Sequence, residues 1–355
     1  ANALADRGHC VALVTGLGFE LADYPKRYRA LEVFDRYRPR PVRLLKWLWY
    51  CLRFQPQIIH LQGAQHPALY ILLWMILRVM SQATFVYTPQ DVLPNSLRPY
   101  HIKAFRFLYA RMRHVFLNAK QNEPLVIEHF SVPRERITVL PIADLTAFVR
   151  THAARESPNV PDGAHVVLCF GLIEPRKGIH TLLSAAPEVI RQVPNTLILI
   201  VGKPLMDIAP LQRQVEELGL QERVRLVPEY ASFAQMAGYF TAARFLVLPY
   251  ENGWNSGVLA SAFGFGKPVI ATRVGGFDEV VTDESTGLLV PPKDPDLLAK
   301  AMVRLLRDEA LYSRMSANVR AAATEISWET IAGLTGARYA DLLRTGADCA
   351  VSQAR

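Results

Sequence analysis

Apolar runs of four to seven residues recur along the chain, each followed by a longer segment in which apolar positions repeat at helical spacing. A strand buried on both faces reads as such a continuous run, because neither side meets water. The runs predict strands at 10–15, 57–61, 84–88, 114–117 and 137–140, then at 166–172, 196–201, 224–227, 245–249, 269–272 and 287–290. Helices are expected after Pro67, at 99–112, at 121–130, after Lys293 and over 328–345. The helix after Lys293 begins with Asp294 as N-cap and Pro295 at the first helical position, and Ser327 is placed to cap the last one. Strand–helix alternation of this kind predicts parallel sheets covered by helices on both faces. Residues 146–163 carry Pro158 and Pro161, lack clear periodicity and read as a linker. The expected domains are therefore 1–145 and 164–326, followed by helix 328–345.

Length agrees with two domains: 355 residues, half of them hydrophobic and a fifth charged, support two cores. Cys10, Cys51, Cys169 and Cys349 are far apart and form no metal or redox pattern; Cys10 and Cys169 read as small core residues in strands. The net charge of +8 is uneven, and the window 24–55 holds nine basic residues against Glu32 and Asp35. Arg38, Arg40, Arg43 and Lys46 alternate there with aromatic residues such as Trp47 and Trp49. This mixture suits an anionic membrane surface, where rings lie at headgroup level and cations meet phosphate. A solvated helix and loop face is the competing reading, and no nucleic-acid-binding signature accompanies the charge. Leu69–Met80 is too short and carries Arg78, so it does not span a bilayer.

The stretch from Pro249 to Val281 concentrates the chemistry. The run FLVLP leads through a glycine- and asparagine-rich loop to Ser256-Gly257-Val258, with Ser256 a good N-cap. Gly266-Lys267-Pro268 ends that helix, and Gly275-Gly276 opens a second turn after the next strand. A helix N-terminus just past a parallel strand presents free N–H groups and a positive dipole end, which is an anion site. Two such turns in about thirty residues predict a phosphate or nucleotide crevice.

This stretch resembles the donor-binding core of GT-B glycosyltransferases, specifically the retaining family four. Phe170-Gly171-Leu172-Ile173-Glu174-Pro175-Arg176-Lys177-Gly178, Thr286-Gly287-Leu288-Leu289-Val290-Pro291-Pro292 and Ile326-Ser327-Trp328-Glu329 follow the family's order and spacing. The SGV, FGKPVIAT, GG and EVV elements resemble a bacterial polysaccharide-synthesis branch. The resemblance implies a GT-B fold of two Rossmann-like domains facing a cleft, with helix 328–345 packing back on the first, a nucleotide-sugar donor (UDP or GDP) and no metal or other cofactor. It implies transfer of a hexose-type sugar with retention to a lipid-linked oligosaccharide, at the cytoplasmic face of a membrane.

Carried over residue by residue, the resemblance makes Lys177 the diphosphate and leaving-group cation, with Arg176 as a substitute for an arginine that is absent at Leu172. Gly171, Ser256, Gly257, Val258, Gly275 and Gly276 fall at donor-binding positions. The family's paired glutamates are replaced by Gly253 and Ser261; Glu251, two residues early, is the stand-in at the sugar, and Ser261 offers a hydroxyl to the ribose. Gln90 stands where a histidine is common, with Asp91 beside it. A catalytically weak or inactive scaffold in a polysaccharide complex is the alternative that these replacements keep open. The resemblance also places one strand and a glycine-rich turn ahead of Ala1. The first domain is therefore expected to lack its first strand, leaving a groove beside the strand at 10–15.

Overall fold

A computed structural model describes residues 1–16, 25–35, 38–39, 41–63, 67–90, 92, 99–144, 146, 158–253 and 256–353. The chain divides into two compact units, Ala1–Pro141 with Trp328–Arg355, and Ile142–Ser327. The division falls at Pro141, ahead of the expected linker. Of that linker, 147–157 lie outside the described residues, and Val160 packs against the core of the second unit.

In the first unit, β1 (Ala12–Gly16) runs parallel to β2 (Arg29–Asp35), which pairs antiparallel with β3 (Arg38–Pro39). A second, wholly parallel sheet has the order β4 (Ile58–Gln62), β5 (Thr84–Thr88), β6 (His114–Leu117) and β7 (Ile137–Val139). Among the described residues, β1 pairs only with β2 and β4 only with β5, so each is an edge strand of its sheet. Val33 of β2, Leu61 of β4 and Tyr87 of β5 nonetheless share one apolar cluster. That cluster is closed by α2 (Pro41–Phe54), α3 (Pro67–Met80), α4 (Pro99–Arg111) and α5 (Asn122–Phe130). On the other sheet face, Val86, Phe116 and Leu140 pack with Leu342 of the long C-terminal helix, Trp328–Gln353. The C-terminal helix is tied down further by Tyr339, whose hydroxyl bonds the His60 ring, and by Arg338 against His114.

The basic aromatic window is more structured than a solvated segment, for it holds β2 and α2. Helical spacing sorts its residues. Trp47 and Cys51, four apart, are buried, with Trp47 edge-on to Phe34 at 6.4 Å. Trp47 is thus a core residue and not a membrane contact, which corrects the expectation from composition. Trp49 remains exposed, on a stripe with Val42, Leu45 and Leu52. Arg43 lies on this helix and pairs with Glu32 of β2, while Arg40 is outside the described residues. Cys10 is likewise exposed and precedes β1, so it is not a core residue.

The second unit is one parallel sheet in the order β10-β9-β8-β11-β12-β13: Val224–Val227, Thr196–Val201, His165–Phe170, Phe245–Leu248, Val269–Thr272 and Gly287–Val290. Strands β9, β11 and β12 are buried throughout. Helices α6 (Ile179–Gln192), α7 (Ala209–Glu217), α8 (Phe233–Ala242), α9 (Gly257–Gly264), α10 (Phe277–Val280), α11 (Pro295–Arg307) and α12 (Glu309–Ala322) connect them. Separate apolar clusters on the two sheet faces mark a doubly wound sheet. The strand order reverses between β8 and β11, and a crevice opens at such a switch point, outside the carboxyl ends of the strands.

Candidate functional site

β8 ends at Phe170, and the chain leaves the sheet through Gly171, whose φ of +108° is open to glycine and strained for other residues. A methyl group placed on Gly171 would lie 3.2 Å from Val258 Cγ2 and 3.8 Å from Lys177 Nζ. The two signature segments, about eighty residues apart in sequence, therefore meet at this point. A 3-10 turn, Pro175–Lys177, follows, and Gly178 (φ +63°) starts α6. Gly178 admits nothing larger, since a Cβ there would fall 2.0 Å from the Pro249 carbonyl oxygen. Lys177 lies before the helix and is held inward by this close crossing of β8 and β11 exits.

Lys177 is only 8% exposed, and it is the one lysine or arginine among the buried described residues. Its ammonium donates a hydrogen bond to the Tyr250 hydroxyl and sits 3.9 Å from the centre of the Tyr250 ring. Burial pushes the ammonium down to about 8, and repulsion from Arg176 adds to the shift, while Cys169 and Glu174 oppose it. The same burial pushes the Tyr250 phenol upward, so it stays protonated. The Tyr250 hydroxyl is 3.2 Å from Ser256 Oγ, which accepts from the Leu259 N–H at 3.3 Å. Ser256 is therefore the N-cap expected from sequence, and the N-terminus of α9 (Gly257, Val258) opens beside the lysine. Gly275 (φ +56°) and Gly276 turn the chain into α10, where Phe277 packs on Tyr250 with ring centres 5.1 Å apart.

Glu251 follows directly. Its N–H donates to the Arg176 carbonyl at 2.8 Å, and its carboxylate is bridged by His180 at 3.0 Å and Lys293 at 3.1 Å. The carboxylate thus already has two cationic or donor partners, which suits a hydrogen-bond acceptor better than a free base. Arg176 pairs with Glu174 at 2.5 Å, and its Nη1 is 3.2 Å from where a Cβ on Gly253 would sit. Arg176 thus reaches the position at which the resembled family carries an acidic side chain. Ser261 differs from expectation. It is fully buried, and its hydroxyl donates to the Gly257 carbonyl one turn earlier at 2.7 Å, so it presents nothing to a ribose in this structure.

The remaining expected residues belong to the first unit. Gln90 is exposed just past β5, Asp91 lies outside the described residues, and Arg38 lies in the short strand β3. Lys46 and Trp49 are exposed on α2. No group of three or more His, Cys, Asp or Glu side chains that could hold a metal exists among the described residues. Sequence reasoning missed Tyr250, His180 and Lys293. Tyr250 was signalled by its place directly after β11, beside the switch point; the other two carried no motif.

Residues 164–308 match the family model described as glycosyl transferases group 1, and residues 1–143 match glycosyltransferase family 4. Both halves of the chain match glycosyltransferases. A D-inositol 3-phosphate glycosyltransferase of Corynebacterium efficiens is 29% identical over 248 residues, which cover 66% of this chain and 57% of that protein. The chain spans about half the length of the curated relatives it matches. Among solved structures, sucrose-phosphate synthase from Thermosynechococcus elongatus superposes with a TM-score of 0.73 at 24% identity, covering 97% of this chain and 92% of that one. Anabaena Alr3699/HepE, solved in complex with UDP, gives 0.73 at 17% identity over 94% and 100%. These likenesses make the fold GT-B, with two parallel-sheet α/β units.

Proposed function

We propose that this chain is a nucleotide-sugar-dependent glycosyltransferase whose donor diphosphate binds at the β8/β11 switch point. The observation that carries the reading is a buried ammonium, Lys177, at the N-terminus of α9. Burying an ammonium is costly unless an anion compensates it, and a diphosphate supplies about two negative charges. Lys177 and the N–H groups of Gly257 and Val258 would hold the diphosphate and stabilise it as leaving group. Gly171 lets the diphosphate approach the backbone, and Gly275-Gly276 forms the second wall. Arg176 and Glu251 stand at the sugar side. Transfer proceeds with retention of a hexose-type sugar, the leaving phosphate accepting the acceptor proton, so that Gln90 need only position a hydroxyl. The reading requires no metal or other cofactor.

The proposed acceptor is a lipid-linked oligosaccharide, presented at the inner face of a membrane to which the first unit binds peripherally. The exposed stripe Val42, Leu45, Trp49 and Leu52 on α2, flanked by Arg43, Lys46 and Arg53, supports this reading, as does a second stripe, Leu72, Met75 and Val79, on α3. No described helix is long and apolar enough to cross a membrane. The name of the Corynebacterium relative supports a different acceptor, a free inositol phosphate, and acceptor assays separate the two. Calorimetry of the chain against UDP and GDP tests the donor site: binding of one of them that Lys177→Ala weakens is expected, and binding of neither at millimolar concentration would overturn the reading. A scaffold without transferase activity would instead keep its complexes unchanged in Lys177→Ala. Sedimentation with vesicles tests the membrane face: anionic vesicles should retain the chain, and Leu45→Glu with Trp49→Glu should release it.

A further inference from the structure

The Tyr250 side chain meets Lys177, Ser256 and Phe277, yet no motif assigns it a role. It is 1% exposed and follows Pro249 at the end of β11. Its carbonyl accepts from Thr272 Oγ1 of β12 at 2.6 Å, which fixes the backbone. Its ring rests on Phe277, just past the Gly275-Gly276 turn, which fixes the ring plane. Its hydroxyl then stands between Lys177 and Ser256, so that the polar groups form an ordered series. The ammonium donates to the phenol oxygen, the phenol is left to donate to Ser256 Oγ, and that oxygen accepts the Leu259 N–H. A tyrosine buried this deeply needs a partner for its hydroxyl, and here it has two, one charged and one capping a helix.

We propose that Tyr250 is the positioning residue of the donor site, its hydroxyl seating the Lys177 ammonium and coupling it to the N-terminus of α9. The proposal rests on the nucleotide-sugar reading above for its functional consequence, but the seating itself is a property of the unliganded protein. Without the hydroxyl, the ammonium would keep the charged neighbours Arg176 and Glu174 on its own loop and the Cys169 thiol on β8. It would lose its one hydrogen-bonded side-chain partner among the described contacts. A charged group that loses a hydrogen bond in a buried site becomes harder to protonate and less fixed in place.

Tyr250→Phe tests this because it keeps the ring, the volume and the Phe277 packing and removes one oxygen. The first measurement needs no nucleotide: the full chain is labelled with 13C-lysine, the Lys177 side-chain resonance is assigned by its absence in Lys177→Met, and its titration is followed by NMR. The midpoint should fall by roughly one pH unit in Tyr250→Phe. The second is UDP and GDP calorimetry at pH 7, where affinity should drop about tenfold if one such hydrogen bond is lost, with the melting temperature nearly unchanged. An unaltered Lys177 titration in Tyr250→Phe overturns the proposal, whatever the nucleotide does. Wild-type protein that binds neither nucleotide, with the titration shifted as expected, leaves the seating intact and removes the nucleotide reading alone.

Discussion

Replacing Lys177 by methionine should make the protein more stable while destroying its proposed activity. Lys177 is 8% exposed, and its ammonium is lowered from 10.5 to about 8 by burial and by Arg176. The folded pKa is therefore below the unfolded one. The penalty is present in full at pH below about 8 and disappears as the pH climbs toward 10.5, where both states are deprotonated. At about 1.4 kcal/mol per unit, the shift corresponds to about 3 kcal/mol of lost stability at pH 7. Methionine has nearly the same length and brings no charge, but it deprives Tyr250 of one hydrogen bond, worth about 1 kcal/mol. The expected net gain is about 2 kcal/mol at pH 7, falling to near zero by pH 10. Urea unfolding followed by circular dichroism at the two pH values measures both. A Lys177→Met protein less stable than wild type at pH 7, or a difference equal at both pH values, would refute the claim that this lysine is held at a cost.

Two further outcomes follow from other contacts. Gly178→Ala sets a Cβ 2.0 Å from the Pro249 carbonyl oxygen at a φ of +63°, and should cost well over about 2 kcal/mol in thermal unfolding. Gly219→Ala, at a φ of +64° but with nothing within 4 Å, should cost only about 1 kcal/mol. In the first unit, burial holds His114 at about 3, with Arg338 adding repulsion, and holds His60 at about 4. Both are depressed, so stability is complete above about pH 6.5 and declines as the pH falls, by about 2 kcal/mol for His114 at pH 5. His114→Gln should flatten that acid slope, read from denaturation midpoints between pH 7 and 5.

The second unit was more legible than the first for physical reasons. Thr196–Val201 and Phe245–Leu248 are buried on both faces, so every position after Thr196 is apolar and the strands stand out. Ser256 and Asp294 were recognisable because an N-cap must be a short polar acceptor in front of an apolar period. β2 was missed because of Arg29–Asp35 only Val33 is buried, so no continuous apolar run marks the strand, and its charges were counted as part of a basic window. Trp47 was misplaced for the same reason: composition adds up cations and rings without asking which helical face each occupies. Spacing separates Trp47 and Cys51 from Val42, Leu45, Trp49 and Leu52. Ser261 and Tyr250 show the converse limit. A motif position gives the location of a side chain but not its hydrogen-bond partner, and one hydroxyl turned into its helix while the other joined the site.

The replacements at Leu172, Gly253 and Ser261 need not empty the proposed donor site; they would concentrate its positive charge. Leu172 is half-exposed and apolar, and Arg176 is paired with Glu174, so Lys177 is the buried cation facing the switch point. A site that depends on one ammonium with a pKa of about 8 is sensitive to pH in a way that an arginine site is not. A diphosphate bound beside it favours the charged form and raises that pKa, so binding must draw in a proton wherever the free lysine is partly neutral. At pH 8 about half of the free Lys177 is deprotonated, and nucleotide binding should take up about half a proton; at pH 6 this lysine should contribute close to none. Calorimetry in buffers of different ionisation enthalpy reads this directly, with Lys177→Met as the reference that cancels protons taken up by the phosphate itself. Equal proton uptake at pH 8 in wild type and Lys177→Met, with nucleotide bound to both, would mean that the diphosphate lies elsewhere.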